Sequence, residues 1–272
     1  MEIPVITLAD GNKIPQVGLG LWKVKDQAEF NRSVEAAIAA GYRHFDTAQA
    51  YGNEHFLGEA LQKSNLKRED VWITTKIAVP HFGHDHALKT FEDSLQNLRT
   101  DYVDLLLLHF PVSLVRQKTW RALEELQAAG KVKSIGVSNY TIKHLEEMAG
   151  YAQKMPVINQ VELHVFLQQP ELAQYCKEHN IALEAYSPLA HAKDMDEPVI
   201  SKIAEKHGKT YAQVMLRWCI ERGFIVLPKS VTPERVQANA DIFDFQLDDD
   251  DLRQLAKLDK DLRTCWDPTN IP

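Results

Sequence analysis

Phe45-Asp46-Thr47-Ala48-Gln49-Ala50-Tyr51-Gly52-Asn53-Glu54 follows a strand-like run, Tyr42 to Phe45, and leads into an amphipathic segment that begins near Asn53. A carboxylate at a strand end, with a tyrosine in the next loop, is an arrangement that holds a phenol for proton transfer. A free phenol has a pKa near ~10, too high for efficient acid-base work at neutral pH unless a fixed positive charge favours the phenolate. Lys76 offers that charge. Val71-Trp72-Ile73-Thr74-Thr75-Lys76 reads as a buried strand, rich in β-branched and aromatic residues, with the lysine at its C-terminal end. A third run, Val103 to Leu108, hands over in the same way to His109. If these strands are parallel, Asp46, Lys76 and His109 lie on one face of a sheet or barrel. Asp46 then pairs with Lys76, Lys76 depresses the Tyr51 pKa, and His109 hydrogen-bonds the atom that Tyr51 protonates. Each residue alone reads better as an ordinary strand-end side chain. Their order and spacing support an acid-base site on an α/β protein.

Strand and helix patterns alternate along the rest of the chain. Residues Val5 to Val17 turn around Asp10-Gly11-Asn12 and predict an N-terminal β-hairpin. Val17-Gly18-Leu19-Gly20 reads as a short first strand; it lacks the third glycine of G-x-G-x-x-G, so a Rossmann fingerprint is not supported. Asp26 to Glu29 forms a capping box before a helix that presents Phe30, Val34, Ala37 and Ile38. Further strands are read at Val132 to Val137, Val157 to Val161, Ile181 to Tyr186 and Phe224 to Leu227. Helices separate them, with capping boxes or prolines at Thr141, Pro170, Thr210 and Thr232-Pro233. Asp248 to Leu258 reads as an appended acidic-headed helix, and Thr264 to Pro272 as irregular. Eight strand-helix units without a linker predict an α/β fold, a (β/α)8 TIM barrel over residues 1–272 as one domain, with an open doubly wound sheet as the alternative.

Composition narrows the function. The chain has 272 residues, 44% of them hydrophobic and 25% charged, ample for a core. A net charge of −7 argues against a nucleic-acid partner but leaves room for a local basic pocket. No run approaches the ~20 apolar residues that span a bilayer and the start lacks a signal-type core, so a soluble, cytoplasmic protein without membrane association is expected. Cys176, Cys219 and Cys265 are widely spaced and read as reduced thiols. His81, His84 and His86 read as a polar loop, since no carboxylate pattern on the strands accompanies them.

Near the C-terminus, Leu227-Pro228-Lys229-Ser230-Val231-Thr232-Pro233-Glu234-Arg235 places a lysine and a serine between a strand and a helix N-terminus, with Arg235 in the first turn. Such a combination suits an anion, and it coexists with a helix cap at Thr232.

The motif from Phe45 to Glu54, with Lys76 and with His109 before Phe110-Pro111, strongly resembles the aldo-keto reductases. The resemblance extends over nearly the whole chain and is closest to short members of the diketogluconate reductase kind. It implies a barrel that reduces aldehydes or ketones with NADPH, without a metal. Asp46, Tyr51, Lys76 and His109 would be the catalytic residues. Ser138, Asn139 and Gln160 would meet the nicotinamide carboxamide, and Tyr186 its ring, in the motif Ala185 to Leu189 that also brings Ser187 and Leu189 to the cofactor. Lys229, Ser230 and Arg235 would bind the 2′-phosphate and Asn239 the adenine, although Ala238 stands where many relatives carry glutamate. Trp22 and Phe110 would wall the substrate pocket beside His109. Relatives often carry tryptophan at the Phe110 position and an aromatic where Ile77-Ala78 stand. The loop after Leu189 is short, which implies incomplete cover for the pyrophosphate. A monomer acting on a small carbonyl compound is expected. Two other classes compete: a nucleotide-binding regulatory barrel without turnover, and a metal-dependent barrel hydrolase built on the loop histidines.

Overall fold

The computed structural model describes residues 3–112, 115–192 and 196–272. Among them, eight parallel strands form one sheet in sequential order: β3 (Leu19–Gly20), β4 (His44–Asp46), β5 (Trp72–Ile77), β6 (Val103–Leu108), β7 (Val132–Ser138), β8 (Ile158–Glu162), β9 (Ala182–Tyr186) and β10 (Ile225–Leu227). An open doubly wound sheet would end in two free edges. Here the first and last strands meet: Val17 bridges Val226 in parallel, Gly18 N donates to Val226 O, Val226 N to Gln16 O and Gly20 N to Pro228 O. Closure removes the exposed edges.

The helices alternate with the strands as the periodicity predicts, the last two following β10: α1 (Gln27–Ala39), α2 (Glu54–Lys63), α3 (His84–Leu98), α4 (Arg116–Ala128), α5 (Ile142–Ala149), α6 (Pro170–Glu178), α7 (Pro198–His207), α8 (Tyr211–Glu221), α9 (Pro233–Ala240) and α10 (Asp249–Ala256). Both α7 and α8 lie in the β9-to-β10 crossover. Asp26 accepts from Glu29 N, and Thr210 and Gln213 form a reciprocal box, as expected. Thr232 differs. It occupies the N-cap position of α9 but makes no side-chain cap; Ser230 Oγ takes the Thr232 N–H instead.

Two apolar bodies hold the barrel. The larger lies between the strands and the helices, around residues such as Phe30, Phe91, Trp120 and Trp218. The smaller is a plug at the N-terminal ends of the strands. There the hairpin β1 (Val5–Thr7) and β2 (Lys13–Pro15) sends Leu8 and Ile14 against Trp72, Leu105, Ile158 and Ile225. Above this plug the interior filling becomes polar: His44, Asp46, Thr74, Lys76, Gln160 and Glu184 are all buried. No helix among the described residues is long and apolar enough to cross a membrane.

The first strand is shorter than its sequence run, Val17 to Gly20, because the chain there serves as the seam. A Cβ at Gly18 would sit 2.6 Å from the His44 ring, so only glycine lets the interior histidine approach. Gly136 is similarly confined: a Cβ there would lie 2.7 Å from the Ile158 carbonyl oxygen and 2.7 Å from Leu107 Cδ2. Gly136→Ala should therefore lower stability by about 1–3 kcal/mol through overpacking. A reduced midpoint in chemical denaturation is the expected result, and an unchanged midpoint would show that β7 and β8 separate freely.

Candidate active site

Asp46 is the last residue of β4, and the chain leaves it through Thr47, whose N–H donates to Thr74 O. A single 3-10 turn, Gln49–Tyr51, then lifts the phenol over the barrel mouth, and Gly52 reverses the chain at φ 67°. Side chains brace this turn on both sides. Gln49 Nε2 donates to Thr90 O and Ser94 Oγ, while its Oε1 accepts from Ala78 N at 2.9 Å. Asn53 occupies the N-cap position of α2 without capping it; its Nδ2 donates to Leu21 O and Val24 O, and its Oδ1 accepts from Thr47 Oγ1.

Lys76 rises from β5 into this frame, fully buried. Its Nζ lies 2.7 Å from both Asp46 oxygens, 3.0 Å from Thr47 O and 3.2 Å from Tyr51 Oη. Burial works to lower the Lys76 pKa, but Asp46 and Tyr51 outweigh it and hold the ammonium above its ordinary range. An ammonium only donates, so the phenol oxygen of Tyr51 accepts from Lys76. The phenol hydrogen is left to donate to a further acceptor.

The expectation that Lys76 brings the phenol below its ordinary pKa needs correction. Burial raises the Tyr51 pKa more than Lys76 lowers it, and the phenol is pushed up to about 12. At neutral pH, Tyr51 therefore holds its proton. His109 follows β6, its ring centroid 5.6 Å from that of Tyr51. Burial, helped by Lys76, lowers its pKa to about 3, leaving a neutral imidazole that can donate one hydrogen bond.

The rim beside this group is cross-linked. Asn139, at φ 64°, donates through Nδ2 to His109 O and Ser138 Oγ, and its Oδ1 accepts from Tyr186 Oη at 2.7 Å. Ser138 Oγ donates to Gln160 O. Gln160 Nε2 donates to Asp46 Oδ2 at 2.8 Å and Glu184 Oε2 at 2.6 Å. Both amide nitrogens are thus saturated, and what Asn139 and Gln160 can still offer a ligand is their carbonyl oxygens. The folded rim thus makes both side chains acceptors towards a ligand.

Around the mouth, the Trp22 ring stands 5.6 Å from that of His191, and Phe110 stands 6.3 Å from Trp266, whose side chain is 74% exposed. Ser187, at φ 49°, shares its hydroxyl with His191, and Leu189 is half-buried against the main core. The short loop after Leu189 runs partly through residues 193–195, outside the described residues. At the seam, Lys229 and Arg235 are exposed and form no ion pair among the described residues. Ser230 is buried, with its hydroxyl committed to Thr232, so it reaches an anion less directly than the sequence suggested. Asn239 is also buried, with 5% exposure. Of the loop histidines, His81 contacts Gln49 Oε1 and His84 lies between Asp85 and Glu125; no group of metal-binding side chains occurs among the described residues.

Sequence reasoning missed the carboxylates behind the site. Glu184 and Tyr186 share the i, i+2 spacing that His44 and Asp46 show on β4, and a glutamate inside an apolar run was the available signal. No local pattern could have announced the tail. Glu162, at the end of β8, accepts from His164 Nε2, Thr264 N and Oγ1, and Cys265 N. This anchor carries the irregular tail past the mouth, so that Cys265 Sγ lies 3.2 Å from His191 Nε2 and Trp266 reaches Phe110.

A closed parallel barrel with a lysine-carboxylate pair under a phenol at the C-terminal strand ends defines an acid-base enzyme of the barrel class. The family model described as the aldo/keto reductase family matches residues 16–260. The chain belongs to that family and is an oxidoreductase. It is 44% identical to a glyoxal reductase of Bacillus subtilis over 266 residues, 98% of this chain and 96% of that one. An aldo/keto reductase from Brucella melitensis, solved by crystallography, is 46% identical with TM-score 0.91, over 94% of this chain and 100% of that one. A crystal structure of a Bombyx mori aldo-keto reductase in complex with NADP is 32% identical with TM-score 0.92, over 97% and 95% of the two chains.

Burial works to raise the Glu162 pKa, yet its hydrogen bonds from His164, Thr264 and Cys265 outweigh this and hold it below the ordinary range. Glu162→Gln should release the tail, since hydrogen bonds to a charged acceptor are worth about 1.5–3 kcal/mol. Hydrogen exchange at Thr264 and Cys265 is then expected to quicken by at least about tenfold; unchanged protection would mean that other contacts hold this segment.

Proposed function

We propose that this aldo/keto reductase reduces small aldehydes and ketones, α-oxo aldehydes foremost, to alcohols with NADPH, and that Tyr51 gives the proton. The observation that carries the reading is the direction of the Lys76–Tyr51 hydrogen bond. Because the phenol oxygen accepts from the ammonium, its own hydrogen is free to meet a carbonyl oxygen at the mouth. A reduction must add a proton to a developing alkoxide, and a phenol that stays protonated up to about 12 is stocked for that step. As the proton leaves, Lys76 stabilises the phenolate, and Asp46 keeps the ammonium charged and in place. Neutral His109 donates to the same carbonyl oxygen and orients it. Trp22, Phe110 and Trp266 give the mouth aromatic walls suited to a small substrate.

The residues present fit NADPH, which when bound supplies the hydride. The acceptor oxygens of Asn139 and Gln160 match the N–H groups of a carboxamide, and Tyr186, held by Asn139, offers a ring face. Lys229 and Arg235, in no ion pair among the described residues and beside the N-terminus of α9, suit the 2′-phosphate, with Ser230 and Asn239 shaping the adjoining surface. Likeness to a glyoxal reductase supports α-oxo aldehydes as substrates. We place the protein in the cytoplasm as a single-domain monomer, in keeping with its three free cysteines.

Tyr51→Phe should cut carbonyl reduction by about 10²–10⁴-fold while leaving NADPH affinity nearly intact; retained turnover with lost cofactor binding would contradict the assignment. Arg235→Ala should raise the KM for NADPH far more than that for NADH. Equal rises for both would remove the 2′-phosphate reading.

A further inference from the structure

Beneath the Asp46–Lys76 pair sits a second carboxyl group that the mechanism above does not use. Glu184 of β9 is wholly buried, and its Oε2 shares Gln160 Nε2 with Asp46, at 2.6 and 2.8 Å. Its Oε1 points to His44 Nε2 at 3.5 Å. The His44 ring offers Glu184 no hydrogen. Its Nδ1 lies 3.4 Å from the Pro15 carbonyl oxygen, which can only accept, so Nδ1 carries the hydrogen. Burial keeps this imidazole neutral, its pKa lowered to about 3, and its Nε2 lone pair takes the Thr74 hydroxyl at 3.2 Å. Glu184 Oε1 is thus buried with no hydrogen-bond partner among the described residues, and a carboxylate would leave a charged oxygen uncompensated there. A neutral carboxylic acid avoids that charge while its Oε2 still accepts from Gln160.

We propose that Glu184 is a positioning residue: as a neutral acid it locks Gln160 against Asp46 with its carbonyl oxygen turned to the mouth, and its ionisation at alkaline pH weakens Tyr51 as a proton donor. Every element around it bears on this. His44 and Asp46 face it from β4, Lys76 from β5 and Gln160 from β8, while β10 sets only Ile225 in register with it. Burial, with Asp46 adding to it, pushes the Glu184 pKa up to about 8, against the pull of Gln160 and Lys76. As pH rises through that value the proton leaves to solvent, and a second negative charge draws on the one ammonium. Tyr51 then gains less from Lys76 and becomes a weaker acid. Each unit added to its pKa can slow proton donation by up to about tenfold.

The inference rests on Tyr51 as the donor, and single-turnover rates of α-oxo aldehyde reduction by the NADPH-saturated enzyme test the two separately. The wild type should lose about tenfold in rate through an apparent pKa near 8. Glu184→Gln should stay flat across the same range, because an amide can accept from Gln160 but cannot ionise. Glu184→Ala, which frees Gln160, should be slower at every pH. A wild type without that alkaline decline, or a decline that persists in Glu184→Gln, overturns the proposal while leaving Tyr51 in place. An active Tyr51→Phe instead overturns the reading beneath it. Wild-type infrared spectra give a check that needs no variant: the carbonyl band of a buried protonated carboxylic acid should fade through the same pH interval, and its absence at neutral pH would also refute the proposal.

Discussion

The ion pair between Asp46 and Lys76 is the interaction on which the rest of this molecule depends. Two charges wholly inside a barrel lose most of their hydration, and such a pair persists only where geometry and extra hydrogen bonds compensate. Here both Asp46 oxygens meet the ammonium, Thr47 O also accepts from it, and Gln160 donates to Asp46 Oδ2. Removing one partner of a buried pair typically costs about 3–5 kcal/mol because the other charge is stranded. The barrel therefore cannot treat this pair as an optional surface decoration, and the strands that deliver it must stay in register.

That register explains why the polar layer lies where it does. The hairpin and the first inward-facing residues of the strands seal the N-terminal end with apolar side chains. Water is thereby kept from the layer above, so burial dictates protonation there. His44 and His109 are both driven neutral, and the Tyr51 phenol is made a weaker acid than in water even beside an ammonium. On the role proposed for Tyr51 this suits a reductase, because the phenol begins each turnover with its proton in place.

The mouth follows a different physical logic. Its walls come from segments distant in sequence, and a glutamate at the end of β8 ties down a tail that otherwise has no regular structure. Ile271 O and Pro272 O accept from His144 and Arg116, so the far end of the tail is held by α5 and α4. Trp266 is brought to Phe110 by anchors on either side of it, while 74% of its own surface remains open.

Much of this was legible in the sequence, for local reasons. Strand and helix periods, the hairpin turn at Asp10-Gly11 and the capping box at Thr210 each depend on residues a few positions apart, and they led to the barrel, its N-terminal hairpin and the order of its units. Asp46, Tyr51, Lys76 and His109 stood out because each lies at or just past a strand end, and parallel strands place such ends together. Tertiary structure alone decided the protonation and hydrogen-bond direction of these groups. Whether a phenol is more or less acid than in water depends on burial by the whole fold, and whether Gln160 offers a donor or an acceptor depends on carboxylates from two other strands. The anchoring of Thr264 and Cys265 by Glu162 spans about a hundred residues of chain, a pairing that no local pattern encodes because it is created when the barrel closes.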